Sequence, residues 1–565
     1  MFDFQKKLVA ISEQCLSVFE EPLPTIHFEF SMEKGRGDLT TSVCMQLAKK
    51  VKKAPMELAN LLADALSNDE SVEKVEAVNP GYVNVTLKAP ILFASLDIVT
   101  DACEPKKANG EKPVVMDYSA PNIAKPLGIH HILSTVIGQS IANVYRHQGY
   151  EVISVNHIGD WGTQFGKLAV AYKKWGEKPV KDHSLDDLLA LYVRFHEEVE
   201  SHPELEKEAR EAFSEIEKGN AELKSFWSEV VAITMRSIEE LYQRLHISFD
   251  KTQGESFYED KMKPILDEGV KKGVLKEGKE GALIVEFPEE AKMPPAIALK
   301  GDGSTIYLTR DLATARYRID TWHPQSMLYV VDIAQQLYFR QLFETLSQLG
   351  WDLPHLEHVY FGRMRFADAT MSTRKGNIMR LEHVLDEAVK RAEAVIAARG
   401  DKIMTDDTAA LAEMMGTGAV VYGVLSQNRT LDMVFDWDKM LSFEGNSAPY
   451  LQYTHARARS VLRKAEVKDL PHVTVSELTT HERTLVKLLL TFGAVLETAR
   501  SEHLPHKLTN YLYEVCQSFN SFYNSDDILG ASSELRSARL SLTSFTARVL
   551  KTGAELLTLR VPERM

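Results

Sequence analysis

Residues 114–162 read VVMDYSAPNIAKPLGIHHILSTVIGQSIANVYRHQGYEVISVNHIGDWG. VVMDY is an apolar strand pattern. SAPNIAKPLG carries Pro121 and Pro126, which bar a helix through it. Ile129, Ile132, Leu133, Val136, Ile137, Ile141 and Val144 then recur at three- and four-residue spacings, so a helix begins at Ile129 and Gly149 ends it. EVISVNHIGDWG follows as a second strand and loop. Strand, loop, helix and strand in this order form the building block of a parallel nucleotide-binding sheet.

Upstream, helical patterns (LTTSVCMQLAKKVKKAPMELANLLADAL) precede GYVNVTL, where Tyr82, Asn84 and Thr86 alternate with Val83, Val85 and Leu87 as in a half-buried strand. The polar, turn-rich DACEPKKANGEKP at 101–113 marks a domain boundary. Downstream, residues 183 to about 246 are helical and strongly charged, an insertion that splits the sheet. Strand patterns return with GALIVEF, a Gly301–Asp302–Gly303 turn and STIYLT. MLYVVDI, a helix from about Gln335 and HVYFGRM come next. From about residue 405 every long pattern is helical.

At 565 residues the chain exceeds one hydrophobic core, and two to four domains are expected. With 44% apolar and 26% charged residues it has ordinary soluble composition. No long apolar run predicts a membrane span, and MFDFQKKLVAISEQC lacks a signal-peptide core. Cys15, Cys44, Cys103 and Cys516 form no CxxC pair, which suits a reducing cytoplasm and argues against disulfides and a zinc site. A net charge of −14 disfavours non-specific nucleic-acid coating. Local basic stripes remain, AKKVKKAP (48–55) and HARARSVLRKAE (455–466), and charge alone favours reading each as a solvated helix face over a phosphate-binding stripe.

Three segments bear chemistry. His130 and His131 sit at a helix start, where unpaired N–H groups and a partial positive charge suit phosphate, and Lys125 adds a full charge. Neighbouring helical positions diverge by about 100°, so the pair is not expected to share a metal. One buried and one solvated histidine fits the same residues. ATMSTRKGNIMRLEHVLDEA (369–388) reads as a loop that closes on polyphosphate with Arg374 and Lys375, or as an exposed basic loop. NHIGDWGTQFG and IYLTRDLATARY put polar and acidic residues after strands, with Glu151, Asp160 and Asp311 able to receive a cation or, alternatively, to cap turns.

Taken in order, SAPNIAKP, the histidine-bearing helix, NHIGDWGTQFG, YLTRDLATA, MSTRKGN, FEGNSAPYLQYTHARARSVLRK and LRVPERM resemble the arginyl-tRNA synthetases, a class I aminoacyl-tRNA synthetase family. The likeness runs nearly the whole chain. It implies an α/β catalytic domain with a split Rossmann-like parallel sheet at 111–400, carrying a helical insertion at about 176–250. A small α+β domain binding the tRNA elbow is implied at 1–110, and an all-α anticodon-binding domain at 401–565. The implied reaction activates L-arginine with ATP and Mg2+ and esterifies the 3′ end of tRNA(Arg), without a structural metal, in a cytoplasmic monomer. Carried over by residue, catalysis falls to Lys125, His130, His131, Ser372 and Lys375. ATP binding adds Gly128, Met371 and Arg374. Glu151, Tyr307 and Asp311 match guanidinium contacts, which suits paired carboxylate acceptors. Asn122, Asn156 and Gln335 match the residues holding the substrate's amino and carboxylate groups. Tyr523 and Met565 match family positions near the anticodon, Tyr511 and Asn520 are added as further candidate tRNA contacts, and His455, Arg457 and Arg459 are expected to meet phosphates, with core packing an equal reading for the two tyrosines.

The chain departs from the family at several points. The family's His-Ile-Gly-His stands as Gly128-Ile129-His130-His131, so His131 keeps the second histidine while His130 occupies the glycine position. Thr370 and Thr373 replace signature lysines, and Lys125 is the implied substitute for the second. Asn446, Ser447 and Ala448 replace Glu-Thr-Gly outside the chemistry. These departures leave two alternatives open: a synthetase-derived RNA-binding protein that no longer makes adenylate, and a ligase for a non-tRNA acceptor. The complete anticodon-binding end disfavours the latter.

Overall fold

The computed structural model describes residues 2–33, 35–366, 379–400, 403, 405–466 and 473–565. Its centre is a five-stranded, all-parallel sheet built from Val114–Asp117, Val152–Asn156, Lys251–Thr252, Ser326–Tyr329 and His355–His358. In space the order is 355–358, 326–329, 114–117, 152–156, 251–252. The chain winds outward from the first strand to one side, then crosses back to complete the other. The order therefore reverses between Val114–Asp117 and Ser326–Tyr329, and in such sheets ligands bind in the crevice at the carboxyl ends of those two strands.

The first crossover is the helix His131–His147, buried along its apolar face through Ile132, Leu133, Val136, Ile137, Ile141 and Val144. It starts two residues later than the periodicity predicts. Gly149, with φ of 87°, makes the left-handed turn into the second strand. Between the second and third strands lie four helices, Thr163–Trp175, Leu185–Val199, Glu204–Glu217 and Ala221–Leu245, which form their own core around Phe165, Phe195 and Ile216. This is the charged insertion expected from the sequence. An antiparallel sheet (Leu275–Glu277, Leu283–Val285, Ala296–Leu299) follows the third strand.

Two strand expectations fail here. STIYLT is not a strand: only Thr305 bridges to Leu299, and a helix starts at Tyr307 and runs to Trp322. Its β-branched and aromatic residues mimic a strand, but Leu308, Leu312 and Ala315 bury one helical face. HVYFGRM also straddles two elements, since the sheet strand is His355–His358 and Met364–Phe366 pairs instead with Met433–Phe435.

Ahead of the sheet, a four-stranded antiparallel sheet carries Tyr82–Leu87 in its interior, with Val83, Val85 and Leu87 fully buried and Asn84 also covered. Helices Asp3–Leu16, Val43–Val51 and Pro55–Leu66 belong to the same unit. After residue 405 the long elements are helices. Thr408–Leu425 is long and apolar enough to cross a membrane by composition, yet most of its residues are buried against neighbouring helices.

Candidate active site

The site is assembled from the loop between the first strand and the histidine helix. Ser119, Ala120 and Ala124 take φ values of 70°, 46° and 66°, a left-handed backbone that costs non-glycine residues about 1–3 kcal/mol each. Each strained amide is held by a side chain. Ser119 N–H donates to Ser134 Oγ at 2.9 Å, Ala120 N–H to Asn156 Oδ1 at 3.2 Å, and Ala124 N–H to Thr234 Oγ1 at 3.1 Å. Backbone bonds Ile123 N–H to Gly159 O (3.1 Å) and Gly159 N–H to Pro121 O (2.9 Å) zip this loop to the NHIGD loop. A Cβ on Gly159 would meet Asn122 Oδ1 at 2.4 Å, so a larger residue there would displace the Asn122 amide.

Where that loop enters the helix, Leu127, Gly128 and Ile129 pair with Met379, Arg380 and Leu381. Ile129 N–H donates to Met379 O and Leu381 N–H to Leu127 O, both at 2.8 Å, and Gly128 bridges Arg380. The residues directly after 367–378 are thus bound to the start of the histidine helix. Thr370, Met371, Ser372, Thr373, Arg374 and Lys375 themselves lie outside the described residues.

His130 is the exposed N-cap of the helix and makes no side-chain cap bond. His131 is half-buried, and Gly128 N–H donates to its Nδ1 at 2.9 Å. The same Nδ1 lies 3.1 Å from Gly128 O, so the backbone of Gly128 holds this side of the ring whichever nitrogen carries the proton. Burial and the neighbouring His130 push His131 down to about 4, so it is neutral near pH 7. The two rings do not diverge as expected for adjacent helical positions. Their centroids lie 4.1 Å apart, although His130, the cap, already has helical φ and ψ of −65° and −23°. Lys125 is exposed, with Nζ 5.1 Å from the Tyr192 ring of the helical insertion.

Across the crevice lies an acidic pocket. Asp117, the last residue of the first strand, contacts Arg318 Nη2 at 2.7 Å, and Arg318 is wholly buried. Burial works against the Arg318 charge, but Asp117, Tyr258 and Tyr329 hold it protonated. Asp311 lies on the same helix as Arg318; its Oδ2 accepts from the Tyr338 hydroxyl, and its Oδ1 sits 4.0 Å from His157 Nε2. Burial raises the Asp311 carboxyl above its ordinary range, against the pull of His157 and the Tyr338 hydrogen bond. Glu255, pushed up to about 7 by burial, pairs with Arg310 at 3.2 Å. Tyr307 stands at the rim, 67% exposed, one turn before Asp311. Gln335, exposed, caps the helix Gln336–Gln348, and Asn122 is exposed on the strained loop.

Asn122, Tyr307, Asp311 and Gln335 thus lie toward the switch-point edge, two other expected arginine contacts, Glu151 and Asn156, do not join them, and Asp160 takes the turn-holding alternative. Glu151 is exposed immediately before the second strand, where its carbonyl accepts from Val114 N–H at 2.8 Å. That is the amino-terminal edge of the sheet, a full strand length from Asp117. Asn156 is fully buried with Oδ1 on Ala120 and Nδ2 on Tyr242 at 3.1 Å, so it braces the strained loop and offers no atom to a substrate. Asp160 accepts from Ser256 N–H (2.9 Å) and Ser256 Oγ (2.6 Å), a turn-holding role that uses both oxygens. Sequence reading missed Asp117 and Tyr338. Asp117 had a signal, an acid at the carboxyl end of an apolar strand; Tyr338 had none.

In the C-terminal helices a cavity of about 660 Å³ is lined by Tyr453, Arg457, Arg463, Lys464, Tyr523 and Met565, among others. The Arg457 guanidinium lies between the Tyr453 and Tyr523 rings, at 4.8 and 5.0 Å. Tyr523 is 39% exposed. Tyr511 is instead a packing residue, 4% exposed with its hydroxyl on Leu488 O at 3.0 Å. Asn520 is spent on Tyr450, Thr454 and Arg457. His455 is buried and bonded to Pro562 O at 2.9 Å, so it is not free for a phosphate, whereas Arg459 places Nε on Glu563 at 2.7 Å and stays partly exposed.

A parallel sheet split by a helical insertion, with a histidine helix opening at its switch point, defines a class I tRNA synthetase. Residues 96–437 match the family described as tRNA synthetases class I (R), catalytic domain. Residues 4–87 match the arginyl tRNA synthetase N terminal domain, and 451–565 the DALR anticodon binding domain. The arginine–tRNA ligase of Clostridioides difficile (strain 630) is 40% identical over 578 residues, covering 100% of both chains. Arginyl-tRNA synthetase structures from Plasmodium falciparum and Thermus thermophilus share the fold, with TM-scores of 0.82 and 0.79 at 24% identity. They cover 100% and 99% of this chain and 100% of their own. The chain belongs to the arginyl-tRNA synthetase family.

Proposed function

We propose that the chain is an ATP-dependent arginine–tRNA ligase, acting as a monomer on arginine, Mg-ATP and tRNA(Arg). The observation that carries this reading is the convergence at one sheet edge. The strained loop and histidine helix lie on one side, bound to the segment that follows MSTRKGN, and the Asp117–Asp311 pocket lies on the other. A guanidinium is planar and cationic and asks for carboxylates in a dry, shaped site. Asp311 and Asp117 supply them, with Tyr307 closing over the rim, while Asn122 and Gln335 hold the amino and carboxylate groups. Glu151 and Asn156 have no part in this pocket.

In the first step an arginine carboxylate oxygen attacks the α-phosphorus of ATP in line, and the bond to the β-phosphate breaks to release pyrophosphate. A tRNA 3′-terminal hydroxyl then attacks the adenylate carbonyl and AMP leaves. Neither step needs a protein nucleophile; positioning and charge neutralisation do the work. His131, His130, Lys125 and the helix start face the phosphate oxygens, with Met371, Ser372, Arg374 and Lys375 expected to complete the nucleotide site. The N-terminal unit receives the tRNA elbow, and the Tyr523–Met565 cavity takes an unstacked anticodon base against its aromatic and cationic walls. ATP–pyrophosphate exchange tests the reading: exchange is expected with arginine and tRNA(Arg) together. Tight tRNA binding without exchange, using chargeable tRNA, would refute it and point to a silent RNA-binding relative.

A further inference from the structure

The acid that faces the guanidinium has its two oxygens in different states. Asp311 Oδ2 is taken by the Tyr338 hydroxyl. Among the described residues Oδ1 has only His157 Nε2 nearby, at 4.0 Å, beyond hydrogen-bond reach, and the side chain is 27% exposed. One oxygen is tied down and the other is open. Tyr338 is half-buried on the first turn of the helix Gln336–Gln348, three residues after Gln335. One helix start therefore carries both the residue assigned to the substrate's head and the residue that grips the acid assigned to its tail.

We propose that Tyr338 is a positioning residue for arginine: its hydroxyl fixes the Asp311 carboxylate so that Oδ1 is presented to the guanidinium. This rests on the reading of Asp311 as a guanidinium acceptor. A carboxylate pinned at one oxygen keeps its plane, and a planar guanidinium binds a fixed plane better than a rotating one. Tyr338 is suited to the task because burial and the nearby Asp311 raise its phenol well above the ordinary range, which keeps it a donor. The other groups facing Asp311 are His157 from the NHIGD loop, Asp117 and Tyr329 from the sheet, Arg318 from its own helix and Glu255. None of them donates to its oxygens.

The test compares Tyr338→Phe with Asp311→Asn in tRNA-dependent ATP–pyrophosphate exchange across pH. Tyr338→Phe removes one oxygen atom, and an unchanged melting temperature and KM for ATP show that the fold stands. The KM for arginine is expected to rise about tenfold with little change in kcat, the scale of a hydrogen bond to a charged group. The acid limb of kcat/KM for arginine should move to higher pH, because losing a donor to the carboxylate favours its protonated form. Parental KM and acid limb in Tyr338→Phe, beside lost arginine use in Asp311→Asn, would overturn the role of Tyr338 and leave the pocket intact. Parental KM in Asp311→Asn would overturn the pocket assignment and this inference with it.

Discussion

Replacing Arg318 by methionine probes the acidic pocket from behind. The Arg318 and Asp117 side chains are 0% and 10% exposed, with Nη2 and Oδ2 2.7 Å apart. At an effective dielectric of about 20 that contact is a gross attraction of about 6 kcal/mol, most of it offset by desolvation. Deleting the cation does not return that balance to zero, because Asp117 stays buried without its counter-charge, which costs roughly 3–5 kcal/mol. Among the described residues Arg318 Nε and Nη1 have no hydrogen-bond partner, and the Asp117 contact itself is close but poorly aligned. Incomplete satisfaction argues for the lower end, about 3 kcal/mol. Over a cooperative unit of roughly 300 residues, that lowers the melting temperature by about 5 °C. Calorimetry on the full chain, following the transition that arginine and ATP shift upward, reads it. Asp117→Asn in the Arg318→Met background should cost less than the sum of the single changes, by about 1–3 kcal/mol. A melt within 1 °C of the parent, or strict additivity, would refute the claim that this pair is a coupled buried charge contact. The Arg318 variant should also raise the KM for arginine, since Asp117 loses the group that orients it.

Two further outcomes concern the helical domain. Burial pushes His455 down to about 4, below its ordinary value near 6.5, so the unfolded chain binds the extra proton between these values. Stability should therefore fall as pH drops from about 6.5 to 4, by up to about 3 kcal/mol from this residue; urea midpoints of His455→Gln should depend less on pH than those of the parent, and equal slopes would contradict this. Asp38, fully buried in the N-terminal unit, contacts Arg483 Nη1 at 2.5 Å and Lys487 Nζ at 3.8 Å on the helix Thr480–Leu490. Arg483→Met should cost about 3 kcal/mol and speed hydrogen exchange at Leu39–Thr41 and Tyr82–Leu87; unchanged protection there would show that the pair does not hold the two units together.

The strand–loop–helix–strand unit was legible because its apolar spacing and two prolines leave little choice of structure. The sheet order was not, since pairing 326–329 against 114–117 joins segments about 200 residues apart through contacts that no local pattern encodes. Within the site, exposure separated the residues that look alike in sequence. Asn122 and Asn156 are both asparagines on loops or strand ends, but only Asn122 is free, because Asn156 must satisfy Ala120 N–H on a strained backbone. Tyr511 and Tyr523 lie on one helix twelve residues apart, and only the outer face leaves a ring uncovered. The Glu151 expectation failed for a reason the sequence did contain. An acid before a strand lies at the amino edge of a parallel sheet and an acid that ends a strand lies at the carboxyl edge, where the ligand binds. Glu151 precedes EVISVN's apolar run, whereas Asp117 closes VVMD. Applied to strand polarity, the same rule that places the nucleotide at the histidine helix selects Asp117 over Glu151. Tyr338 escapes any such rule, because its partner Asp311 lies 27 residues earlier on another helix and only the packed fold brings the two oxygens together.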